Sequence, residues 1–201
     1  EIKFAIDKKI LLINAESESE VKEINRIARL RKKKVQVGIR LNPNTDAKTI
    51  SQISTGKKEN KFGVNEKTLI KLINFCKNAK NLELKCLSVH IGSQILDHKP
   101  YEKMLKIIDR IITKINYKFD FIDLGGGMGI SYTSGSKKLN YKKYNIAIKK
   151  FLKRNKSQII FEPGRSIIGD VGCLVSKIIY IKKNGKKNFI ILDASMNDLM
   201  R

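Results

Sequence analysis

Apolar residues along the chain fall into two patterns, short continuous runs and stripes with helical spacing. The short runs predict buried strands at 4–13, 35–41, 82–90, 119–124 and 158–161. Between them, apolar residues recur every three or four positions, which predicts amphipathic helices at 21–28, 69–76, 100–115 and 141–152. About five strand–helix units in this order predict an α/β fold with a parallel sheet or barrel.

The pattern changes after Gly172. Two β-rich runs, 174–181 and 189–192, flank the hairpin signal Asn184-Gly185. We therefore place a domain boundary near Val171. Residues 1–170 are expected to form a barrel domain, and residues 171–201 the start of an antiparallel β domain.

The composition is that of a soluble protein, with 41% hydrophobic and 30% charged residues among 201. No apolar run is long enough to span a membrane, and no signal peptide follows Glu1. The first residue is not Met and leads almost directly into a strand-like run, which suggests a missing N-terminal portion.

The net charge of +23 invites a nucleic-acid-binding hypothesis. The excess is mostly lysine and is scattered over every segment, and the aromatic residues do not interleave with it as a base-stacking surface requires. We therefore expect no nucleic-acid partner. A basic face that attracts anionic small molecules remains a second interpretation of the charge.

The three cysteines include no Cys-x-x-Cys pair. Cys76 and Cys86 lie in helical and strand patterns and are expected to be small core residues, which indicates a reducing compartment and hence the cytoplasm. His90 and His98 have no cysteine or carboxylate at metal-ligand spacing, so no metal site is predicted.

Polar residues and glycines follow the last two predicted barrel strands. In a parallel α/β barrel, ligands lie at the carboxyl ends of the strands. Gly125-Gly126-Gly127 would expose backbone N–H groups suited to a phosphate, and Arg165 could add a bidentate donor. Glu162 then needs a partner such as a basic ring nitrogen.

One strand end earlier, His90 offers a flat ring for stacking and Ser93 a hydroxyl for a phosphate. Pyridoxal phosphate carries both a phosphate and a basic ring nitrogen, so it fits this set of groups. Pro163 and Gly164 complete the turn beside Glu162, where Pro163 fixes its own φ and Gly164 allows close backbone approach. Taken alone, Glu162 and Arg165 favour a strand-to-loop turn with a surface ion pair.

The glycine turn has other interpretations. It fails as a dinucleotide fingerprint because Ile130 occupies the third glycine position, and no Gly-Lys-Ser/Thr follows for a P-loop. Asp123-x-Gly125-x-Gly127-x-Gly129 matches the first motif of many S-adenosylmethionine methyltransferases, but that motif comes early and is followed directly by a helix. A tight turn without a ligand also remains open.

Six motifs and a final segment resemble the diaminopimelate decarboxylase family, which belongs to the fold-type III pyridoxal-phosphate enzymes. They stand in the family's order and spacing, at 40–43, 53–56, 61–63, 90–94, 123–127, 162–165 and 193–201. The resemblance implies a partial eight-stranded (β/α) barrel followed by the start of a C-terminal β domain. It also implies a homodimer with a shared active site.

The resemblance assigns cofactor contacts. It implies that Ser93, Gly126 and Gly127 hold the phosphate of pyridoxal phosphate and that His90 stacks on the pyridine ring. It further implies that Glu162 pairs with the ring nitrogen, within a cofactor-binding turn that includes Pro163 and Gly164.

Three arginines complete the implied site. Arg40 would lie near the ring hydroxyl of the cofactor, and Arg165 would contact the phosphate or a substrate carboxylate. Arg201 matches an arginine that holds a carboxylate of diaminopimelate. For Arg40 and Ser93, scaffold hydrogen bonding is an open alternative.

Two features of the family are missing from the chain. The family's cofactor lysine lies in a Tyr-x-x-Lys-Ala motif on the first barrel strand, and its catalytic cysteine lies in the later β domain beyond Arg201. Cys173 stands in the wrong context to replace that cysteine. We therefore interpret the chain as an internal fragment that is inactive alone.

The resemblance implies pyridoxal-phosphate-dependent decarboxylation of meso-2,6-diaminopimelate to L-lysine and carbon dioxide, the last step of lysine biosynthesis. Two alternatives stay open. One is decarboxylation of another basic amino acid of the ornithine or arginine type on the same fold. The other is a non-catalytic homologue that binds phosphate or the cofactor.

We predict that the isolated 201-residue chain does not fold well, because an incomplete barrel leaves open sheet edges. Chemical denaturation of the isolated chain should then give a broad transition. A single cooperative transition would contradict this prediction.

Overall fold

The computed structural model describes residues 1–44, 61–133, 135 and 137–199. These residues form two compact units, Glu1–Ile167 and Ile168–Arg201, although the last two residues of the second unit lie outside the described range. The candidate binding residues predicted from the sequence all lie in the first unit, apart from Arg201. Within the described residues, no helix is both long and apolar enough to cross a membrane.

The first unit is built on a parallel sheet of five strands in sequence order, β1 to β5. The strands are β1 Ile13–Ala15, β2 Val35–Arg40, β3 Leu82–Ser88, β4 Phe121–Asp123 and β5 Gln158–Ile160. Every neighbouring pair is parallel, so all five carboxyl ends lie at the same edge of the sheet. The predicted α/β class is thereby confirmed.

Helices connect the strands. They are α1 Ile2–Asp7, α2 Glu18–Leu30, α3 Glu66–Asn78, α4 Lys99–Ile115, α5 Tyr141–Leu152 and the short α6 Arg165–Ile168. Side chains cap three of the helix starts: Ser17 accepts from the N–H of Glu20 and Asn65 from that of Thr68, and Asn140 caps α5 in the same way. Each cap satisfies a backbone donor that has no partner inside the helix.

The strand predicted at 4–13 is wrong. Residues Ile2–Asp7 form helix α1, and the first strand covers only Ile13–Ala15. Ile2 and Ile6, four positions apart, lie on one face of the helix and pack toward the core. Short apolar runs do not distinguish a strand from a buried helical turn.

The hydrophobic core of the first unit lies between the sheet and its helices. Its largest fully buried side chains are Tyr101, Phe119, Phe151, Ile24, Ile39, Leu41, Leu69, Leu72, Leu87, Ile91, Ile95 and Met104. Cys76 and Cys86 are buried in it, as predicted, and burial raises the pKa of their thiols to about 11 and about 12. Both thiols therefore stay protonated at neutral pH.

The second unit contains an antiparallel hairpin of strands β6 Ile178–Asn184 and β7 Lys187–Leu192. The predicted hairpin is confirmed, although β6 begins four residues later than expected. Gly185 and Lys186 form the two-residue loop, and Gly185 takes a positive φ of 59° that glycine adopts without strain. The assignment of residues 171–201 to a C-terminal β domain stays a prediction.

Gly38 in the middle of β2 lies where two side chains approach the backbone. A Cβ atom at this position would overlap Asn14 Oδ1 and would lie 3.0 Å from the Cβ of Cys86. The pairing of β2 with β3 also shifts register between Val37 and Gly38. The missing side chain thus leaves room for Asn14, which is held at the carboxyl end of the sheet.

We expect Gly38→Ala to lower the free energy of unfolding of the intact protein by about 1–3 kcal/mol, because the added methyl group overpacks this site. Urea denaturation measures the change. Gly172→Ala is the matched control, since no described atom lies within 4 Å of its Cβ position. Equal stability of the two variants would contradict the close packing at Gly38.

Candidate functional site

The carboxyl ends of the strands in the first unit surround a cavity of ≈ 350 Å³. Its lining consists of one aromatic residue, Phe62, and six residues with polar or charged side chains, Asn14, Glu16, Arg40, Ser88, His90 and Glu162. These residues stand at or just beyond the ends of β1, β2, β3 and β5, with Phe62 contributed by the segment after residue 60. The parallel sheet therefore brings together side chains from distant parts of the sequence.

A buried carboxylate, Asp123 at the end of β4, organises the floor of the site. Its Oδ2 accepts hydrogen bonds from Asn14 Nδ2 at 2.9 Å and from Ser88 Oγ at 3.2 Å. Its Oδ1 accepts from the backbone N–H of Gly125 at 2.8 Å. With Asp123 only 1% exposed, these donors compensate for the loss of water around the charge.

Arg40, the last residue of β2, places a fixed positive charge in the wall of the cavity. Its guanidinium pairs with Glu16 and lies 4.8 Å from the centroid of the Phe62 ring. Glu16 also accepts a hydrogen bond from the N–H of Gly63 at 3.3 Å. These contacts hold the guanidinium in place, so Arg40 has a scaffold role whatever else it binds.

His90 presents a neutral, flat ring. Burial lowers the pKa of its imidazole, and the positive charge of Arg40 lowers it further. Its Nδ1 accepts a hydrogen bond from the N–H of Gly126 at 3.1 Å, which requires a lone pair on that nitrogen. The contact therefore selects the tautomer with its proton on Nε2.

Glu162, two residues after β5, holds a proton more tightly than an ordinary glutamate. Partial burial raises the pKa of its carboxyl, and the charge of Asp123 together with a hydrogen bond to Asp123 raises it further, while Arg40 opposes the shift. Two neighbouring carboxyl groups cannot both ionise freely. The pair can therefore donate a proton to a basic group in the cavity.

The glycine turn joins three strand-end loops. The carbonyl of Gly125 accepts from the N–H of Glu162, and that of Gly127 accepts from the N–H of Ile95, both at 2.9 Å. Gly125 and Gly127 have φ of 62° and 85°, and Cβ atoms on Gly126 or Gly127 would overlap the carbonyl oxygens of Glu162 or Gly92. Side chains are thus excluded by close backbone packing.

The N–H of Gly127 donates to no acceptor within the described ranges 1–44, 61–133, 135 and 137–199. An anion at this turn would supply the missing acceptor, so the turn fits a phosphate group.

Gln94 links the same loops with its side chain. Its Nε2 donates to the carbonyl of Ile130 at 2.6 Å, while its Oε1 accepts from the N–H of Ile130 and from Arg165, each at 3.2 Å. The Arg165 guanidinium also lies 5.8 Å from the ring centroid of Tyr132. Arg165 therefore lies beside the glycine turn rather than in the wall of the ≈ 350 Å³ cavity.

Comparison with known proteins places the chain in a family. The family described as pyridoxal-dependent decarboxylase, pyridoxal binding domain, matches residues 1–169. The chain belongs to this family. The predicted resemblance is confirmed at that level.

Individual relatives agree with the assignment. The chain is 39% identical to diaminopimelate decarboxylase of Aquifex aeolicus and 41% identical to that of Helicobacter pylori, over 205 residues that cover all of this chain. Its fold matches the crystal structure of the Helicobacter pylori enzyme complexed with L-lysine with a TM-score of 0.93 at 40% identity, over the whole of this chain and 51% of that one. The chain spans about half the length of the curated relatives that it matches.

The predicted partial barrel is confirmed as well, because the five-stranded sheet matches the pyridoxal-binding domain of decarboxylase structures.

The structure brings most of the predicted cofactor residues of this decarboxylase domain together. Arg40, His90 and Glu162 line the cavity, and Gly126 and Gly127 lie in the turn that contacts His90 and Glu162. Ser93 follows Gly92, whose carbonyl packs against Gly127.

Other predicted residues lie elsewhere. Pro163 lines a separate apolar groove of ≈ 520 Å³ with Tyr144 and Phe161, and the space next to Gly164 is open. Arg201 and the motif at 53–56 lie outside the described residues. The roles of all these residues toward a cofactor or substrate stay predictions.

Sequence reasoning missed five residues that shape the site: Asn14, Glu16, Phe62, Ser88 and Gln94. Asn14 and Glu16 flank Ala15 at the end of β1, so a correct placement of this strand would have found them. Ser88 lies inside the predicted strand 82–90, and nothing in the local sequence indicates that its hydroxyl donates to Asp123. Gln94 carries a sequence signal only through its place in the motif 90–94.

We expect Glu162→Gln to stabilise the cofactor-free protein at neutral pH by about 0.5–1 kcal/mol, a figure reduced for solvent screening. The pKa of the Glu162 carboxyl is higher in the native protein than in the unfolded chain, where it is near 4.3. The native protein therefore has its full stability below that pH and loses stability as the pH rises through the native pKa. The variant lacks this loss, so the two proteins should differ at pH 7.5 and agree at pH 4. Urea denaturation at both pH values measures the difference.

Glu83→Gln serves as the control for this experiment. A hydrogen bond from Lys34 lowers the pKa of the Glu83 carboxyl, so removal of its charge should destabilise the protein at neutral pH. Opposite signs for the two variants support the assigned protonation of Glu162. A loss of stability at pH 7.5 in Glu162→Gln would refute it.

Proposed function

We propose that the intact protein is a pyridoxal-phosphate-dependent decarboxylase that converts meso-2,6-diaminopimelate to L-lysine and carbon dioxide. The observation that carries this proposal is that His90 and Glu162 line one cavity of a pyridoxal-binding domain, and that the glycine turn is hydrogen-bonded to both of them. The names of the most similar relatives favour diaminopimelate over ornithine or arginine as substrate.

The donor set fits the cofactor at both of its ends. The N–H of Gly127, which has no acceptor among the described residues, suits the phosphate, with Gly126 and Ser93 in adjoining positions. At the other end, the carboxyl of Glu162, whose pKa is raised, suits the basic nitrogen of the pyridine ring. When bound, the cofactor supplies an acceptor for the electron pair that remains when carbon dioxide leaves.

The residues of this chain orient the ring and control one proton. The hydrogen bond from Gly126 to His90 fixes the imidazole, whose neutral face can stack on the pyridine. Glu162 would hold a proton at the ring nitrogen, and the buried charge of Asp123 behind it keeps that proton in the pair. Arg40, held by Glu16 and Phe62, would place its positive charge near the ring hydroxyl.

The substrate would be recognised by positive charges. Arg165, beside the glycine turn, would contact the phosphate or a substrate carboxylate, and the hydrogen bond to Gln94 limits how far it can move. We assign Arg201 to a second carboxylate of diaminopimelate on the basis of its motif. A substrate with two carboxylates would require two such cationic groups.

The chain spans about half the length of the relatives that suggest this activity. A cofactor lysine and a catalytic cysteine are expected in segments outside these 201 residues, so we propose that the chain alone is inactive. We further propose a homodimer with a shared active site, a cytoplasmic location and a place in lysine biosynthesis. The relatives are about twice as long as this chain, which supports the proposal that the chain alone is inactive.

The test of this function is product analysis with the intact protein and pyridoxal phosphate. We expect L-lysine and carbon dioxide from meso-diaminopimelate, and no carbon dioxide from ornithine or arginine. Glu162→Gln should lower the rate about 10²-fold, because a preorganised group at the ring nitrogen is lost. Glu83→Gln, a change in a surface carboxyl paired with Lys34, should leave the rate unchanged.

Release of carbon dioxide from ornithine or arginine without lysine formation would overturn the substrate assignment alone. Failure of the intact protein to bind pyridoxal phosphate would overturn the proposed function as a whole.

A further inference from the structure

Tyr101 is a fully buried tyrosine in the first turn of α4, and its hydroxyl reaches the glycine turn. The O–H donates to the carbonyl oxygen of Gly126 at 3.1 Å. We propose that Tyr101 is a positioning residue, whose hydrogen bond holds the Gly126–Gly127 peptide so that the N–H of Gly127 is presented to the phosphate of the cofactor. This inference rests on the proposed function and adds to it a residue that makes no cofactor contact.

The geometry of the peptide bond connects the two atoms. The carbonyl of Gly126 and the N–H of Gly127 belong to one planar peptide unit, which is trans because the described chain has no cis peptide bond. In a trans peptide these two groups point in opposite directions. The hydroxyl of Tyr101 on one side therefore fixes the direction of the N–H on the other side, where the described residues offer it no acceptor.

The neighbouring peptides of the turn are held by other groups. In the Gly125–Gly126 peptide, the carbonyl accepts from the N–H of Glu162 and the N–H donates to His90. In the peptide after it, the carbonyl of Gly127 accepts from the N–H of Ile95. Within the described ranges, the Gly126–Gly127 peptide has Tyr101 as its one hydrogen-bond partner.

This peptide needs an anchor because glycine on both sides permits it to rotate. Glycine populates positive and negative φ about equally, and the φ of 85° at Gly127 is one of several accessible values. Rotation of the peptide plane would turn the N–H away and present a carbonyl oxygen instead. A carbonyl dipole facing the phosphate would repel it.

The packing around Tyr101 keeps the hydroxyl in its position. Its ring stacks on Tyr144 of α5, with centroids 4.3 Å apart and an angle of 28° between the ring planes. Burial and the neighbouring tyrosines raise the pKa of the Tyr101 hydroxyl, so it remains a donor at every physiological pH. Two long helices thus hold the anchor against the turn.

The experiment compares two ligands that differ only in the phosphate, pyridoxal phosphate and pyridoxal, in the intact protein. In Tyr101→Phe the ring and its stacking remain, while the hydrogen bond is lost. The dissociation constant for pyridoxal phosphate should rise about tenfold, as loss of one buried hydrogen bond predicts, while that for pyridoxal stays the same. Spectroscopic titration gives both constants.

Tyr117→Phe is the matched control. Tyr117 also donates its hydroxyl to a backbone carbonyl, that of Leu84 at 2.9 Å, but this carbonyl lies within β3 and outside the glycine turn. The variant removes a similar hydrogen bond and should leave the ratio of the two dissociation constants unchanged. A purely structural effect would move both ligands together in both variants.

The outcomes separate this inference from the proposed function. If the unsubstituted protein binds pyridoxal phosphate no more tightly than pyridoxal, the phosphate site is wrong and the inference fails with it. If it prefers pyridoxal phosphate and Tyr101→Phe keeps the same ratio, or weakens both ligands equally, the inference alone is overturned.

A measurement without substitution covers the case in which Tyr101→Phe does not fold. In protein labelled with ¹⁵N-glycine, the amide resonance of Gly127 should shift when pyridoxal phosphate binds and remain in place with pyridoxal. An unchanged Gly127 resonance with pyridoxal phosphate would overturn the inference.

Discussion

The site depends on one buried carboxylate. Asp123 is the last residue of β4. It accepts hydrogen bonds from the side chain of Asn14 in β1, from that of Ser88 at the end of the adjacent strand β3, and from the backbone N–H of Gly125. A buried charge is strongly unfavourable unless such donors surround it. The requirement to satisfy Asp123 therefore fixes the carboxyl ends of three strands relative to one another and sets the start of the glycine turn.

The same carboxylate also acts electrostatically. Its negative charge favours the protonated form of Glu162, while Arg40 favours the ionised form and also disfavours a charge on His90. The cavity thereby combines an imidazole with a lowered pKa, a carboxyl with a raised pKa and a fixed guanidinium within a small volume. Perturbed groups of this kind concentrate at functional sites, where the protein maintains protonation states that water would not.

The sequence predicted those parts of the fold that depend on local chemistry. The stripes of the long helices and the alternation of strands with helices follow from the spacing of apolar residues. The error at residues 4–13 arose because a short apolar run suits a helix or a strand, and only burial of Ile6 against the core decides between them.

The residues of the candidate site likewise fall into those that the sequence predicted and those that it did not. Gly126, Gly127, His90 and Glu162 were found because each lies in a motif at a strand end. The residues that hold these groups in place were not predicted. Their hydrogen bonds join positions far apart in the sequence: Tyr101 to Gly126 spans 25 positions and Gln94 to Ile130 spans 36. Such contacts are set by the packing of helices on the sheet, and a single sequence carries no periodicity that would reveal them.

The position of Glu162 links the chemistry to the architecture of the sheet. Within the described residues β5 pairs only with β4, and the backbone beyond it is exposed, with Phe161 42% accessible to solvent. Partial burial is the largest contribution to the raised pKa of Glu162, so the shift depends on how far this end of the sheet is shielded from water. The position of Glu162 two residues beyond β5 and beside Asp123 therefore sets its affinity for a proton, and a loss of packing at this end of the sheet would lower its pKa.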